Sequence, residues 1–132
     1  MATKTIICDT DVMIDYWNKY SLRHFATKEL LEKVIELDNV VLSAITKMEL
    51  LMGAKDKEGL VRINKKISQF KIILIDNAIT ESAIQLLQNY RLSHGLALPD
   101  AFIAATCNTL ELKLFTHNIK DYKFIDDLVL FN

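Results

Sequence analysis

The chain has 132 residues, of which 51% are hydrophobic and 25% charged, and its formal net charge is −1. That size suits one domain, expected over residues 1–132, and excludes two; the balance is too apolar for a disordered chain and too broken by charge for a membrane protein. A nearly neutral chain has no global attraction to nucleic acid, so any such contact must be local.

No apolar stretch approaches the roughly 20 residues that a bilayer requires, and the first apolar run is cut short by Asp9. Neither a membrane span nor a secretory signal is expected, and the predicted location is the cytoplasm.

Thr5 to Cys8 reads as a buried strand closed by Asp9 and Thr10, followed by a helix carrying Val12, Met13, Tyr16 and Trp17. Leu30, Leu31, Val34 and Ile35 recur at helical spacing between Thr27 and Leu37, and Val40 to Leu42 is a second strand. Ser43 and Thr46 both offer N-caps for the next helix, which runs to about Gly53. A further helix places Leu60, Ile63, Ile67 and Phe70 on one face and leads into the third strand, Ile72 to Ile75. Asn77 starts a helix with the stripe Ala83, Leu86, Leu87 and Tyr90, ending at Gly95. Pro99 opens a helix to about Thr109 that is apolar nearly all round and therefore buried. Lys113 to Phe115 and Leu128 to Phe131 complete the strands. Short apolar runs alternating with helical patterns, with no hairpin dipeptide, predict an α/β fold whose parallel sheet is covered on both faces.

In such a sheet, ligands bind beyond the carboxyl ends of the strands. Asp9 follows the first strand directly, although it could equally cap the next helix. Glu49 shares a helical face with Ile45, Met48 and Met52, which places a carboxylate in an apolar stripe. Thr46 to Glu49 also fits a capping box, an alternative that needs no chemistry. Asp100 stands in the first turn of the buried helix, where the helix dipole favours an ionised acid. Asp121 follows the Lys113 strand by a few residues, in a loop. Carboxylates gathered on one sheet edge raise each other's pKa unless a cation neutralises them, so these four acids suggest a hard-metal site.

The three histidines and two cysteines share no ligand-like spacing, which disfavours zinc and leaves oxygen ligands for Mg²⁺ or Mn²⁺. Cys8 and Cys107 read as small buried hydrophobes. The basic run Lys57, Arg62, Lys65, Lys66 and Lys71 is either a solvated helix face or a local nucleic-acid contact. Phosphate-binding glycine loops and a serine-hydrolase elbow are absent.

Four segments carry a family resemblance: Ile6 to Asp11; Leu42-Ser43-Ala44-Ile45-Thr46-Lys47-Met48-Glu49-Leu50; Leu98-Pro99-Asp100-Ala101-Phe102-Ile103-Ala104-Ala105; and Leu114-Phe115-Thr116-His117-Asn118 through Asp121-Tyr122. Together they closely resemble PIN-domain ribonucleases, most of all the toxins of VapBC-type toxin-antitoxin pairs. The resemblance implies a three-layer α/β/α domain with a five-stranded, mostly parallel sheet, and RNA cleavage with Mg²⁺, or Mn²⁺ in its place, at an acidic pocket. By motif, Asp9 and Asp100 match direct metal ligands, Glu49 an acid supporting metal and water, and Thr116 a hydroxyl near the site. Asn118 stands where an acid is common, which makes Asp121 the fourth carboxylate, acting through water, and Asn118 a polar helper. The resemblance further implies 5′-phosphate and 3′-hydroxyl products, a homodimer and a small antitoxin partner. If the chain dimerises, two copies of the Lys57 to Lys71 region could form one groove for an RNA backbone.

Two other readings remain open on the sequence. Ile7 to Val12 also resembles the nucleophile loop of haloacid-dehalogenase-type phosphatases, with Asp9 as nucleophile, Asp11 as acid, and Asp126-Asp127 as a misplaced distal motif. Alternatively the acids only cap helices in a binding module without activity.

Overall fold

Among the described residues, four short strands pair in parallel in the order β3-β2-β1-β4: Ile6–Cys8 (β1), Val40–Ser43 (β2), Lys71–Ile73 (β3) and Lys113–Phe115 (β4). This computed structural model describes residues 4–132; the first three residues of the expected domain lie outside the described residues.

Successive strand residues face opposite sides of the sheet, so a strand buried on both faces feeds two cores. Ile7, Val41 and Leu114 enter one cluster with Ala83, Leu86, Ala101 and Ala104. Ile6, Cys8, Val40, Leu42 and Phe115 enter the other with Val12, Leu31, Leu50 and Ile67. The first cluster is roofed by Asn77–His94 (α5) and Leu98–Leu110 (α6). Thr10–Trp17 (α1), His24–Glu29 (α2), Ala44–Met52 (α3) and Lys57–Ile67 (α4) supply the helices between the earlier strands. The result is the expected three-layer α/β/α arrangement. No helix among the described residues is long and apolar enough to cross a membrane.

The expected fifth strand is reduced to a single bridge. Leu130 pairs with Leu114 through two backbone bonds, Leu114 N–H to Val129 O at 3.0 Å and Phe131 N–H to Leu114 O at 2.8 Å. The preceding residues are used in tight turns, Ile125 N–H to Tyr122 O and Leu128 N–H to Ile125 O, so only one residue reaches register. The third strand is also shorter than expected, and Leu74 is exposed.

The helix expected from Thr27 to Leu37 changes type. α2 ends at Glu29 and Leu30–Ile35 continues as a π-helix, terminated by Glu36 at φ 74°. The wider turn aligns residues four apart, so Leu31 and Ile35 are buried while Val34, assigned to the same face by a 3.6-residue period, is 62% exposed. In α4, Leu60 is likewise exposed, and Phe70 is buried from the connection beyond the helix.

Strand order reverses at β1: β2 and β3 extend to one side and β4 lies on the other. That switch leaves a crevice at the carboxyl end of β1, where the chain places Asp9.

Candidate functional site

Asp9 follows β1 and is held there by its own N–H, which donates to Phe115 O at 2.9 Å. Its side chain serves two purposes at once. Oδ1 accepts from the Thr10 N–H at 2.8 Å as the N-cap of α1, while Oδ2 accepts from the Thr116 hydroxyl at 2.8 Å. The capping and site readings are thus compatible. Only 5% of Asp9 is exposed. Burial, then repulsion from Asp11, pushes its carboxyl up to about 6, against the opposing pull of the Thr116, Thr10 and Tyr122 hydrogen bonds.

Asp100 sits in the first turn of α6, with Pro99 beside it in that turn. Its Oδ1 accepts from the Tyr122 hydroxyl at 3.0 Å. The same hydroxyl interacts with Asp9, so one buried tyrosine links the two acids. Burial raises the Asp100 carboxyl to about 6, with Asp9, Asp121 and Glu49 adding repulsion in that order. Three carboxylates far apart in sequence therefore act on Asp100 at this crevice.

Glu49 lies on α3, where its Oε1 accepts from the Thr10 hydroxyl at 2.6 Å, and that hydroxyl stands 3.2 Å from Thr46 Oγ1. The capping-box alternative fails for a local reason. Ser43, not Thr46, is the N-cap of α3, its hydroxyl accepting from the Ile45 N–H at 3.1 Å. Thr46 is inside the helix and fully buried, and Glu49 is turned toward α1.

Thr116 follows β4 and donates to Asp9 while accepting from the Asn118 N–H at 3.0 Å. Asn118 thus contributes its backbone to the arrangement, and the residue is exposed. Asp121 is half-buried at the end of the 3₁₀ turn Ile119–Asp121, within electrostatic reach of Asp100.

Tyr122 and Thr10 are functional neighbours to which sequence motifs alone assign no role. Tyr122 is 1% exposed. A buried phenol needs a partner for its hydroxyl, and its place directly after Asp121 was the available signal. Asp11, the acid of the phosphatase reading, also lies close by: its Oδ2 accepts from the His117 N–H at 3.1 Å while Oδ1 is buried without a hydrogen-bond partner. That bond ties the start of α1 to the loop carrying Thr116. Cys8 and Cys107 are buried free thiols, raised far above their ordinary value by burial.

The donor set is all oxygen, which suits a hard divalent cation. Among the described residues no three His, Cys, Asp or Glu side chains are placed to hold one ion. This still fits Mg²⁺, which commonly keeps several waters and binds through one or two carboxylates. Asp9 and Asp100 are the two acids of the crevice whose carboxyls burial raises to about 6, so a cation there would favour their ionised forms.

A parallel α/β/α fold with a buried acidic crevice at its switch point defines the class. Residues 6–126 match the sequence pattern of the PIN domain, and the chain belongs to that family. A toxin-antitoxin complex from Klebsiella pneumoniae contains a chain 31% identical, with a TM-score of 0.74, covering 95% of this chain and 96% of that one. FitAcB from Neisseria gonorrhoeae is 27% identical, with a TM-score of 0.75 and 97% of each chain covered. VapBC2 from Rickettsia felis, bound to a DNA fragment from its promoter, shares the fold at 24% identity, with a TM-score of 0.76 over 97% of this chain and 98% of that one. No curated protein matches. Family membership displaces the phosphatase reading, in which Asp11 would be the acid. Asp11 is instead bonded to the His117 backbone, and Asp126 and Asp127 lie exposed in the final turns.

Proposed function

We propose that the protein is a metal-dependent endoribonuclease, the toxin of a VapBC-type toxin-antitoxin pair. The observation that carries the reading is the Asp9 and Asp100 pair at the switch point, joined through Tyr122 and each raised to about 6 chiefly by burial. Such a pair is poorly suited to a purely structural role, because burial opposes the ionisation of both acids.

Asp9 and Asp100 would hold Mg²⁺ or Mn²⁺, with Glu49 and Asp121 reached through water. The cation, when bound, supplies charge neutralisation and Lewis-acid polarisation of the phosphodiester. Thr116 and Tyr122 fix the two ligand carboxylates, and Thr10 fixes Glu49. Glu49 and Asp121 orient the attacking water and take its proton. Water adds to phosphorus opposite the 3′ oxygen, the P–O3′ bond breaks, and the 3′ oxygen is protonated, leaving a 5′-phosphate and a 3′-hydroxyl.

Similarity to chains solved in toxin-antitoxin complexes supports a small antitoxin partner. A homodimer with paired Lys57 to Lys71 regions, working in the cytoplasm, completes the proposal. Incubation of total RNA with Mg²⁺ or Mn²⁺ tests it. Cleavage should require the metal and be lost in Asp100→Asn and with chelator; cleavage surviving in Asp100→Asn removes that residue from the mechanism. A protein that cleaves nothing and whose thermal midpoint ignores both metals is a binding module instead.

A further inference from the structure

Beside the acids lies a cavity of about 190 Å³ whose lining includes Asp100, Asp121, Lys120, His94, Gly95 and Phe124. Two of the proposed catalytic carboxylates line it, so it adjoins the place where a polynucleotide would be cut. Its size is below the roughly 300–1,000 Å³ of sites for larger organic ligands, and suits one planar ring system.

The aromatic wall is already assembled. The His94 imidazole stacks on Phe124 with 4.4 Å between centroids and 10° between planes. Tyr90, one helical turn earlier on α5, packs against both rings at 5.9 and 5.4 Å, and its hydroxyl accepts from the Asp126 N–H at 3.3 Å. His94 is itself exposed, so its ring keeps surface facing solvent. The loop beside it is equally constrained. Gly95 ends α5 at φ 71°, a left-handed conformation that glycine adopts without strain. Arg91 Nη1 donates to the Gly95 and Leu96 carbonyls at 3.1 and 3.2 Å. Little ordering cost is left for a ligand to meet.

We propose that this cavity is a subsite for the unpaired nucleotide flanking the scissile phosphate, its base stacked on His94 and its phosphate paired with Lys120. The proposal rests on the nuclease reading above. Stacking suits any base, because each has a π-face. Lys120 offers a positive charge beside two acids that would otherwise repel a phosphate. A base inside a duplex is stacked and paired within its own helix, so the subsite selects single-stranded or looped RNA.

The test uses a single-stranded oligoribonucleotide that the wild type cuts, and a series in which one abasic residue is moved past the cut. At one flanking position the missing base should raise KM roughly five- to a hundredfold, the range for one base-aromatic stack. His94→Ala should raise KM on the intact substrate by a similar factor and show no further loss on the abasic one. His94→Phe should restore the difference between the two substrates. Lys120→Gln should flatten the salt dependence of KM on both. Equal KM values for intact and abasic RNA at every position overturn the subsite while leaving the nuclease intact. The subsite is overturned as well if His94→Ala discriminates as the wild type does, or if the preference survives Ala but not Phe. Absence of metal-dependent cleavage by the wild type overturns the nuclease reading, and the subsite with it.

Discussion

The Tyr122 hydroxyl donates to Asp100 Oδ1 at 3.0 Å and interacts with Asp9 as well, tying the loop after β4 to the first turn of α6 and the end of β1. The bond favours the ionised form of Asp100 against burial and three neighbouring acids. Tyr122→Phe keeps the buried ring and removes only the hydroxyl. A hydrogen bond to a charged group contributes about 1.5–3 kcal/mol, so the variant should lose roughly ten- to a hundredfold in kcat/KM. Circular dichroism and the thermal midpoint check that the fold survives. Full activity would reduce Tyr122 to packing.

The acids also predict how metal-free stability depends on pH. Asp9 has an ordinary value of 3.8 and titrates at about 6 in the fold. The folded state holds the proton more tightly, so stability falls as pH rises between those values, and the penalty is complete above them. With chelator present, Asp9→Asn should match the wild type near pH ~4 and be more stable near pH ~7.5, by on the order of 2–3 kcal/mol. Mg²⁺ should raise the wild-type midpoint at neutral pH and leave the variant nearly unmoved. A variant less stable than wild type at neutral pH without metal would contradict the burial argument.

Ser43 and Glu49 separate capping from catalysis on one helix. Ser43→Ala removes the N-cap of α3 and should cost about 0.5–2 kcal/mol in urea unfolding. Glu49→Gln keeps the shape, and its expected effect is on RNA cleavage rather than on the unfolding midpoint. The reverse pattern would return Glu49 to a structural role.

The fourth acidic position is decided by Asp121 and Asn118. Asp121 faces Asp100 electrostatically, whereas Asn118 acts through its backbone N–H on Thr116. Asp121→Asn should lower cleavage roughly a hundred- to a thousandfold, as for groups in proton transfer or charge stabilisation. Asn118→Ala should stay within about threefold of wild type, because the N–H remains. A large loss in Asn118→Ala alone would exchange the two assignments.

Periodicity exposed the elements whose burial is symmetrical. β4 occurs at Lys113–Phe115 as expected, and the buried Pro99 helix and the left-handed Gly95 cap were legible because their determinants are local. The errors fell where tertiary contacts choose between local options. Leu128 to Phe131 has the composition of a strand, but tight turns leave only Leu130 in register with Leu114. The stripe from Leu30 to Ile35 suits either helix type, and packing of Leu31 and Ile35 into the same core accompanies the wider turn.

Legible along the chain were the identity of the acids, the places of Asp9 and Asp100 at a strand end and a helix start, and a parallel sheet covered on both faces. Spacing and composition encode these, because they depend on near neighbours along the chain. Folding was needed to reveal that Thr10 holds Glu49, that Ser43 rather than Thr46 caps α3, and that Tyr122 donates to Asp100 and interacts with Asp9. Partners such as Thr10 and Glu49, or Tyr122 and Asp100, are tens of residues apart in sequence. They meet because β1 pairs with β2 on one side and with β4 on the other, and no local pattern encodes that order.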